Sequence, residues 1–107
     1  MADTCDWPYG QTDLFQMKIY TLAANWSDVS GIYIFARQSD EGWYPIYVGQ
    51  ADSFKARLTK NHEHWDDAIR GGATHIHARS VSKQDERDRL EKELIHSLQP
   101  ALNTQHR

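Results

Sequence analysis

Two short runs constrain what this chain can fold into more than any other feature. Gly31 to Arg37 (GIYIFAR) and Pro45 to Gly49 (PIYVG) are rich in β-branched and aromatic residues, and the polar stretch Gln38 to Gly42 (QSDEG) between them has turn chemistry. Together they predict a β-hairpin. Side chains alternate along a strand, so Tyr33, Phe35 and Arg37 share one face of the first strand, while Tyr47 and Gly49 share one face of the second. A register that sets residue 33 opposite 47 brings 37 to 43 and puts both tyrosines on a common face. Tyrosine pairs across strands usually pack, so this pair alone does not announce chemistry.

Spacing and capping signals lay out the other elements. Phe15, Met17 and Ile19 alternate with polar residues as in a strand, yet Phe15, Ile19 and Leu22 also fit a helix, so 14–22 reads either way. Asp52 or Ser53 caps a helix running through Phe54, Leu58 and His62, and a second short helix carries Trp65 to Arg70 before Gly71-Gly72 stops it. Thr74 to Val81 reads as a third strand. Ser82 is the N-cap candidate of the last helix, with Asp85 and Glu86 in its first turn and Pro100 beyond its end. The order is β-β-α-α-β-α, an α+β fold with a small three-stranded, largely antiparallel sheet flanked by helices. Residues 1–13 are expected to form a flexible N-terminal arm, and 14–107 a single domain.

Composition narrows the function classes. At 107 residues, with 39% hydrophobic and 25% charged residues, the chain has the size and balance of one globular domain. The single cysteine, Cys5, leaves no internal disulfide and no multi-cysteine zinc site. No stretch nears the ~20 apolar residues that cross a bilayer, and the start MADTCDWPYG lacks a signal-peptide pattern, so the expected location is cytoplasmic. The formal charge of −3 is matched by Asp3, Asp6 and Asp13 ahead of the first base, Lys18, which leaves a neutral body without the basic footprint of nucleic-acid binders. Lys55, Arg57 and Lys60 do cluster, but Glu63, Asp66 and Asp67 follow at once, as on a mixed-charge surface. His75 and His77 share a strand face, and Trp43 and Trp65 are large aromatics; packing accounts for them more simply than zinc binding or base stacking.

The last helix is more informative. Turned by about 100° per residue, Leu90, Leu94, Ile95 and Leu98 define an apolar arc, and Glu91 falls inside it, whereas Asp85, Glu86, Asp88 and Glu93 fall outside. A carboxylate aimed at a core is costly unless paired, protonated or bound to a cation. An edge glutamate with its head in water, or one paired with Arg87 a turn earlier, is the competing reading.

Taken in order, Gly31-Ile32-Tyr33, Tyr47-Val48-Gly49, Arg57-Leu58, Leu90-Glu91 with Leu94-Ile95, Pro100 and Asn103 resemble the GIY-YIG nuclease family, over residues 31 to 103. The family includes the nuclease domain of a bacterial excision-repair incision subunit. The resemblance implies a metal-dependent endonuclease hydrolysing DNA phosphodiester bonds, alone or as the cutting subunit of a complex; the alternative is a catalytically inactive binding or regulatory module on the same fold. It implies that Glu91 holds a single Mg²⁺ or Mn²⁺, Tyr33 helps deprotonate the attacking water, Tyr47 positions phosphate or water, and Arg57 opposes charge on the phosphoryl oxygens. Asn103 would orient Glu91 or the end of the last helix, and Gly49, Lys55 and Lys60 would lie against phosphate. Many members carry a histidine one helical turn after the arginine; here that position is Asn61, with His62 and His64 close by, and a continuous helix puts His64 on the side of Arg57. The segment between the tripeptides is longer than is usual for the family. Nothing here has the length of a separate DNA-binding domain, so DNA binding is expected to be weak, or aided by a partner protein.

Overall fold

The computed structural model describes residues 3–103. Its central strand is β3 (Gly31–Ser39), paired antiparallel with β4 (Gly42–Ala51) on one side and β5 (His75–Ser80) on the other. A strand covered on both faces needs an unbroken apolar run, and Gly31 to Ala36 are all buried. The hairpin and the third strand expected from the sequence are therefore present, but the sheet does not stop there. β1 (Thr4–Tyr9) and β2 (Asp13–Thr21) form a second hairpin, and β2 pairs antiparallel with β5, giving five strands in the order β1-β2-β5-β3-β4.

This corrects two expectations. The element order is β-β-β-β-α-α-β-α rather than β-β-α-α-β-α, and residues 4–9 of the expected arm are an edge strand. Residues 1 and 2 lie outside the described residues. The physical reason is visible in CDWPY, where the side chains at 5, 7 and 9 face inward and those at 6 and 8 face out. Trp7 is 4% exposed, and its indole N–H donates to Nδ1 of His77 at 2.9 Å. Pro8 is tolerated because β1 is an edge strand. The open segment 14–22 resolves as strand β2, with Phe15 and Met17 buried.

The β3–β4 register also differs. Tyr33 faces Gly49 and Phe35 faces Tyr47, because the strands run on to Ser39 opposite Gly42 and Ile46 bulges out between the Phe35–Tyr47 and Ala36–Pro45 pairs. The tyrosines share a face, as expected, but sit one pair apart. That face carries Tyr33, Phe35 and Tyr47 against Phe54 of α1 (Phe54–Arg57), Leu58, and Trp65 and Ala68 of α2 (Trp65–Arg70). On the opposite face Trp7, Met17, Ile32, Ile34 and Val48 are covered by Leu90 and Leu94 of α3 (Gln84–Leu98). Lys83, not Ser82, is the N-cap of α3 and makes no side-chain capping bond; the helix ends at Gln99 in the left-handed region (φ 48°). Among the described residues no helix is long and apolar enough to cross a membrane.

His77 ties the stability of this sheet to pH. It is fully buried, and burial, with His75 nearby, pushes its pKa down to about 4. Trp7 donates to Nδ1, so the neutral ring carries its proton on Nε2, which has no hydrogen-bond partner among the described residues. A second proton must enter at Nδ1 against the Trp7 N–H. The folded state therefore binds that proton more weakly than an unfolded histidine, with its pKa near ~6.5. The stabilisation is complete above about pH 6.5 and is lost as the pH falls through about 4, amounting to up to ~3 kcal/mol. The denaturation midpoint is expected to fall across that window, and less steeply in His77→Leu; equal slopes for the two proteins would contradict this assignment.

Candidate active site

The site is assembled by β3, β4, a broken helical segment and α3. Ser53 caps α1 by accepting from the Ala56 N–H, but the helix expected to continue through His62 stops after one turn. Leu58 leaves helical geometry (φ −90°, ψ 68°), and the Thr59 hydroxyl accepts from the Asn61 N–H, offering the backbone a turn in place of a helix. The break decides which histidine enters the site. His62 turns inward to 6% exposure, with Nε2 2.6 Å from the Tyr33 hydroxyl. His64, on the side of Arg57 in a continuous helix, instead lies 4.5 Å from the Tyr47 ring, centroid to centroid.

The protonation of His62 follows from its other nitrogen. The His64 backbone N–H donates to His62 Nδ1 at 3.0 Å, so Nδ1 is bare. Burial, then the Arg57 charge, pushes the His62 pKa down to about 4, so the ring is neutral near pH 7 and carries its proton on Nε2. His62 is therefore the donor to Tyr33. The Arg57 charge acts on both the Tyr33 and the Tyr47 hydroxyls and favours their ionised forms. With His62 donating to the phenolic oxygen, the Tyr33 proton is the uncommitted part of the group. Even so, burial first, then Tyr47, raises the Tyr33 pKa far above that of a free phenol, and the opposing pull of Arg57 does not reverse this. Tyr47 is raised by burial too, again opposed by Arg57.

Arg57 is the common neighbour. Its charge is felt at both tyrosine hydroxyls and at Glu91, and its Nη2 pairs with Oε1 of Glu63 at 2.9 Å. That pair is exposed, with 37% and 64% of the two side chains accessible, and such pairs are worth only ~0–1 kcal/mol. Tyr33, by contrast, has no exposure at all and Tyr47 is buried too, so the water-accessible part of this group is confined to Arg57 and Glu91. The Tyr33 ring fills the space over Gly49: a Cβ there would lie 2.5 Å from Tyr33 Cζ and Oη. The bare Cα of Gly49 thus accommodates a phenol ring before any phosphate.

Glu91 is half-buried and accepts from Gln50 Nε2 at 3.0 Å. It makes no ion pair among the described residues; Arg87, the alternative partner, pairs with Asp52 instead. Burial, with Asp88 nearby, raises the Glu91 pKa, while Gln50 and Arg57 lower it. A partly desolvated carboxylate without a cation of its own fits a hard divalent ion, which takes oxygen ligands and retains water. The described residues contain no cluster of three His, Cys, Asp or Glu, so an all-protein cage as for zinc is not offered. Asn103 does not touch Glu91. Its Oδ1 accepts from the Val48 N–H (2.7 Å) and its Nδ2 donates to the Val48 carbonyl (2.9 Å), closing the free edge of β4 between Tyr47 and Gly49. Lys55 and Lys60 are exposed on α1 and the following turn. Sequence reasoning passed over Glu63 and Gln50; the only signals were a carboxylate six residues after Arg57 and an amide directly after Gly49.

No protein-family model and no curated protein matches the chain, but solved structures do. The GIY-YIG N-terminal endonuclease domain of UvrC from Thermotoga maritima, bound to its catalytic magnesium, is 25% identical, with a TM-score of 0.58 over 71% of this chain and 84% of that one. Two point mutants of the same domain, each with its catalytic divalent cation, give TM-scores of 0.59 and 0.57 at 25% and 26% identity. The chain has a GIY-YIG-like fold. For His62, nitrogen-detected NMR is expected to report the Nε2–H tautomer down to about pH 5, with titration near 4. A midpoint near 6.5 would overturn the assignment of Nδ1 as acceptor.

Proposed function

We propose that this chain is a divalent-metal-dependent endonuclease that hydrolyses DNA phosphodiester bonds, alone or as the cutting subunit of a complex. The observation that carries the reading is the Tyr33 hydroxyl, 2.6 Å from His62 Nε2 and, like Tyr47 and Glu91, within electrostatic reach of Arg57. The fold supports it, since solved GIY-YIG endonuclease domains of this shape hold a catalytic divalent cation. Glu91 would hold Mg²⁺ or Mn²⁺ through oxygen, and the bound ion would supply Lewis acidity and a more acidic water.

The remaining work falls to side chains. The permanently charged, planar Arg57 opposes the negative charge that builds on the phosphoryl oxygens. Tyr47, beside the accessible Arg57, positions phosphate or water. Tyr33 takes part in proton transfer from the attacking water, and the His62 Nε2–H donor on its oxygen together with the Arg57 charge favours the phenolate that burial resists. Asn103 acts further back, by fixing the backbone between Tyr47 and Gly49. Lys55 and Lys60 offset substrate charge at the rim, and weak DNA binding by this neutral chain leaves room for a partner protein. Glu63 occupies Arg57 until phosphate displaces it.

A second reading, a GIY-YIG-fold module that binds nucleic acid without cutting, draws on the complete burial of Tyr33. One experiment separates the two. Purified protein with duplex, flap and single-stranded DNA at low salt, in Mg²⁺, Mn²⁺ or EDTA, is expected to nick only with metal, and Glu91→Ala to lose at least ~100-fold with its melting temperature retained. Retardation of DNA without cleavage in any metal would favour the second reading. Glu63→Gln, which frees Arg57 from an exposed and weak pair, is expected to lower KM by roughly 2- to 5-fold with kcat little changed. An increase in KM would show that Glu63 helps to hold Arg57 in place.

A further inference from the structure

Between Glu91 and the sheet stands Gln50, the residue after Gly49 on β4. Its Nε2 donates to Oε1 of Glu91 at 3.0 Å and to Oδ1 of Asp88, one helical turn earlier, at 2.8 Å. An amide can in principle be turned either way, but here its orientation is fixed from behind. Gln50 Oε1 accepts from Nε2 of Gln84 at 2.8 Å and from Nε of Arg87 at 3.3 Å.

Arg87 has no donor left to rearrange. Nη1 donates to the carbonyls of Val81 (3.0 Å) and Ser82 (2.9 Å), and Nη2 donates to Asp52 (2.9 Å) and Gln84 (2.8 Å), while the side chain is only 5% exposed. Together with the Nε–H, that engages all five guanidinium N–H groups, on a residue that keeps its charge at any physiological pH. Turning the Gln50 amide over would point its NH₂ at the Arg87 N–H and its oxygen at two carboxylates. The donor face of Gln50 must therefore point to α3.

We infer that Gln50, oriented by Arg87, is a positioning residue for a hard divalent cation at Glu91. It pins Oε1 of Glu91 against β4 and leaves Oε2 without a donor among the described residues, so that one oxygen is held and the other is kept for the ion. Its NH₂ also lies between the Asp88 and Glu91 carboxylates and lets both stay charged side by side. The inference rests on the proposed role of Glu91 as metal ligand, and groups that orient a ligand typically alter metal affinity by ~10- to 100-fold.

The test measures binding rather than cleavage. Mn²⁺ is titrated into the full chain and the free ion is followed by electron paramagnetic resonance, with thermal melts run on every variant. Gln50→Met, close in shape but without the amide, is expected to weaken Mn²⁺ binding by about 10-fold or more with an unchanged melt. Arg87→Lys keeps the charge, loses the fork, and is expected to weaken Mn²⁺ in the same direction; the double variant should lose no more than Gln50→Met alone, because both act through one amide. Should Arg87→Lys melt early, the Gln50→Met result decides by itself. If Glu91→Ala binds Mn²⁺ like wild type, the metal reading of Glu91 fails and takes this inference with it. If Glu91→Ala loses the ion while Gln50→Met keeps it, the metal reading stands and the role given to Gln50 is wrong.

Discussion

The contact between the Tyr33 ring and the bare Cα of Gly49 is the one on which the rest of the site depends. Any Cβ at position 49 would stand 2.5 Å from the phenol, so the ring lies flat in that space only because β4 brings a glycine directly across from it. That pairing in turn needs the Ile46 bulge, which advances β4 by one residue relative to β3. With the ring fixed, its hydroxyl can be in only one place, 2.6 Å from His62 Nε2 and within reach of the Arg57 charge. Tyr47, two residues before Gly49, is carried to the same face with its ring centroid 6.2 Å from that of Tyr33.

Two arginines, one on α1 and one on α3, show how burial divides structural from chemical work. Arg87 is nearly inaccessible and uses every donor on fixed partners, tying the start of α3 to Asp52 and Gln50. Removing a partner would strand a buried charge, so that network is rigid. Arg57 is over one-third exposed, pairs with the exposed Glu63 carboxylate, and acts through its charge on the tyrosine hydroxyls. An exposed pair is easily exchanged for another anion. The same residue type thus builds a frame in one place and offers a replaceable counter-ion in the other.

The first hairpin belongs to the opposite side of the sheet. Trp7 and His77 lie in the layer that contains Met17, Ile34 and α3, away from the tyrosines, so acid sensitivity at His77 and proton chemistry at Tyr33 are on separate faces. Both histidines are held neutral by burial and by a donor aimed at Nδ1, an indole N–H in one case and a backbone N–H in the other. Only His62 passes its remaining proton to a functional group; the Nε2 proton of His77 has no such recipient among the described residues.

Local patterns sufficed for the β3–β4 hairpin, for β5 and for the placing of Glu91 on the inward side of α3, because alternation and helical spacing report which face a side chain takes; of the two cap candidates, Asp52 and Ser53, the structure uses Ser53. The ordered motifs from Gly31 to Asn103 likewise pointed to the GIY-YIG-like fold. Strand β1 was legible only in hindsight, since three alternating residues in a short polar leader mean little until His77 supplies a partner for Trp7. Register, the early end of α1, the choice of His62 over His64, the bond from Asn103 to Val48 and the diversion of Arg87 from Glu91 to Gln50 and Asp52 were decided by the tertiary structure. The reason is that the bonds of His62, Asn103 and Arg87 join residues 29 to 55 positions apart in the chain, that register and the end of α1 turn on a bulge and a side-chain turn, and that periodicity along a sequence carries the direction of a side chain but not what stands opposite it.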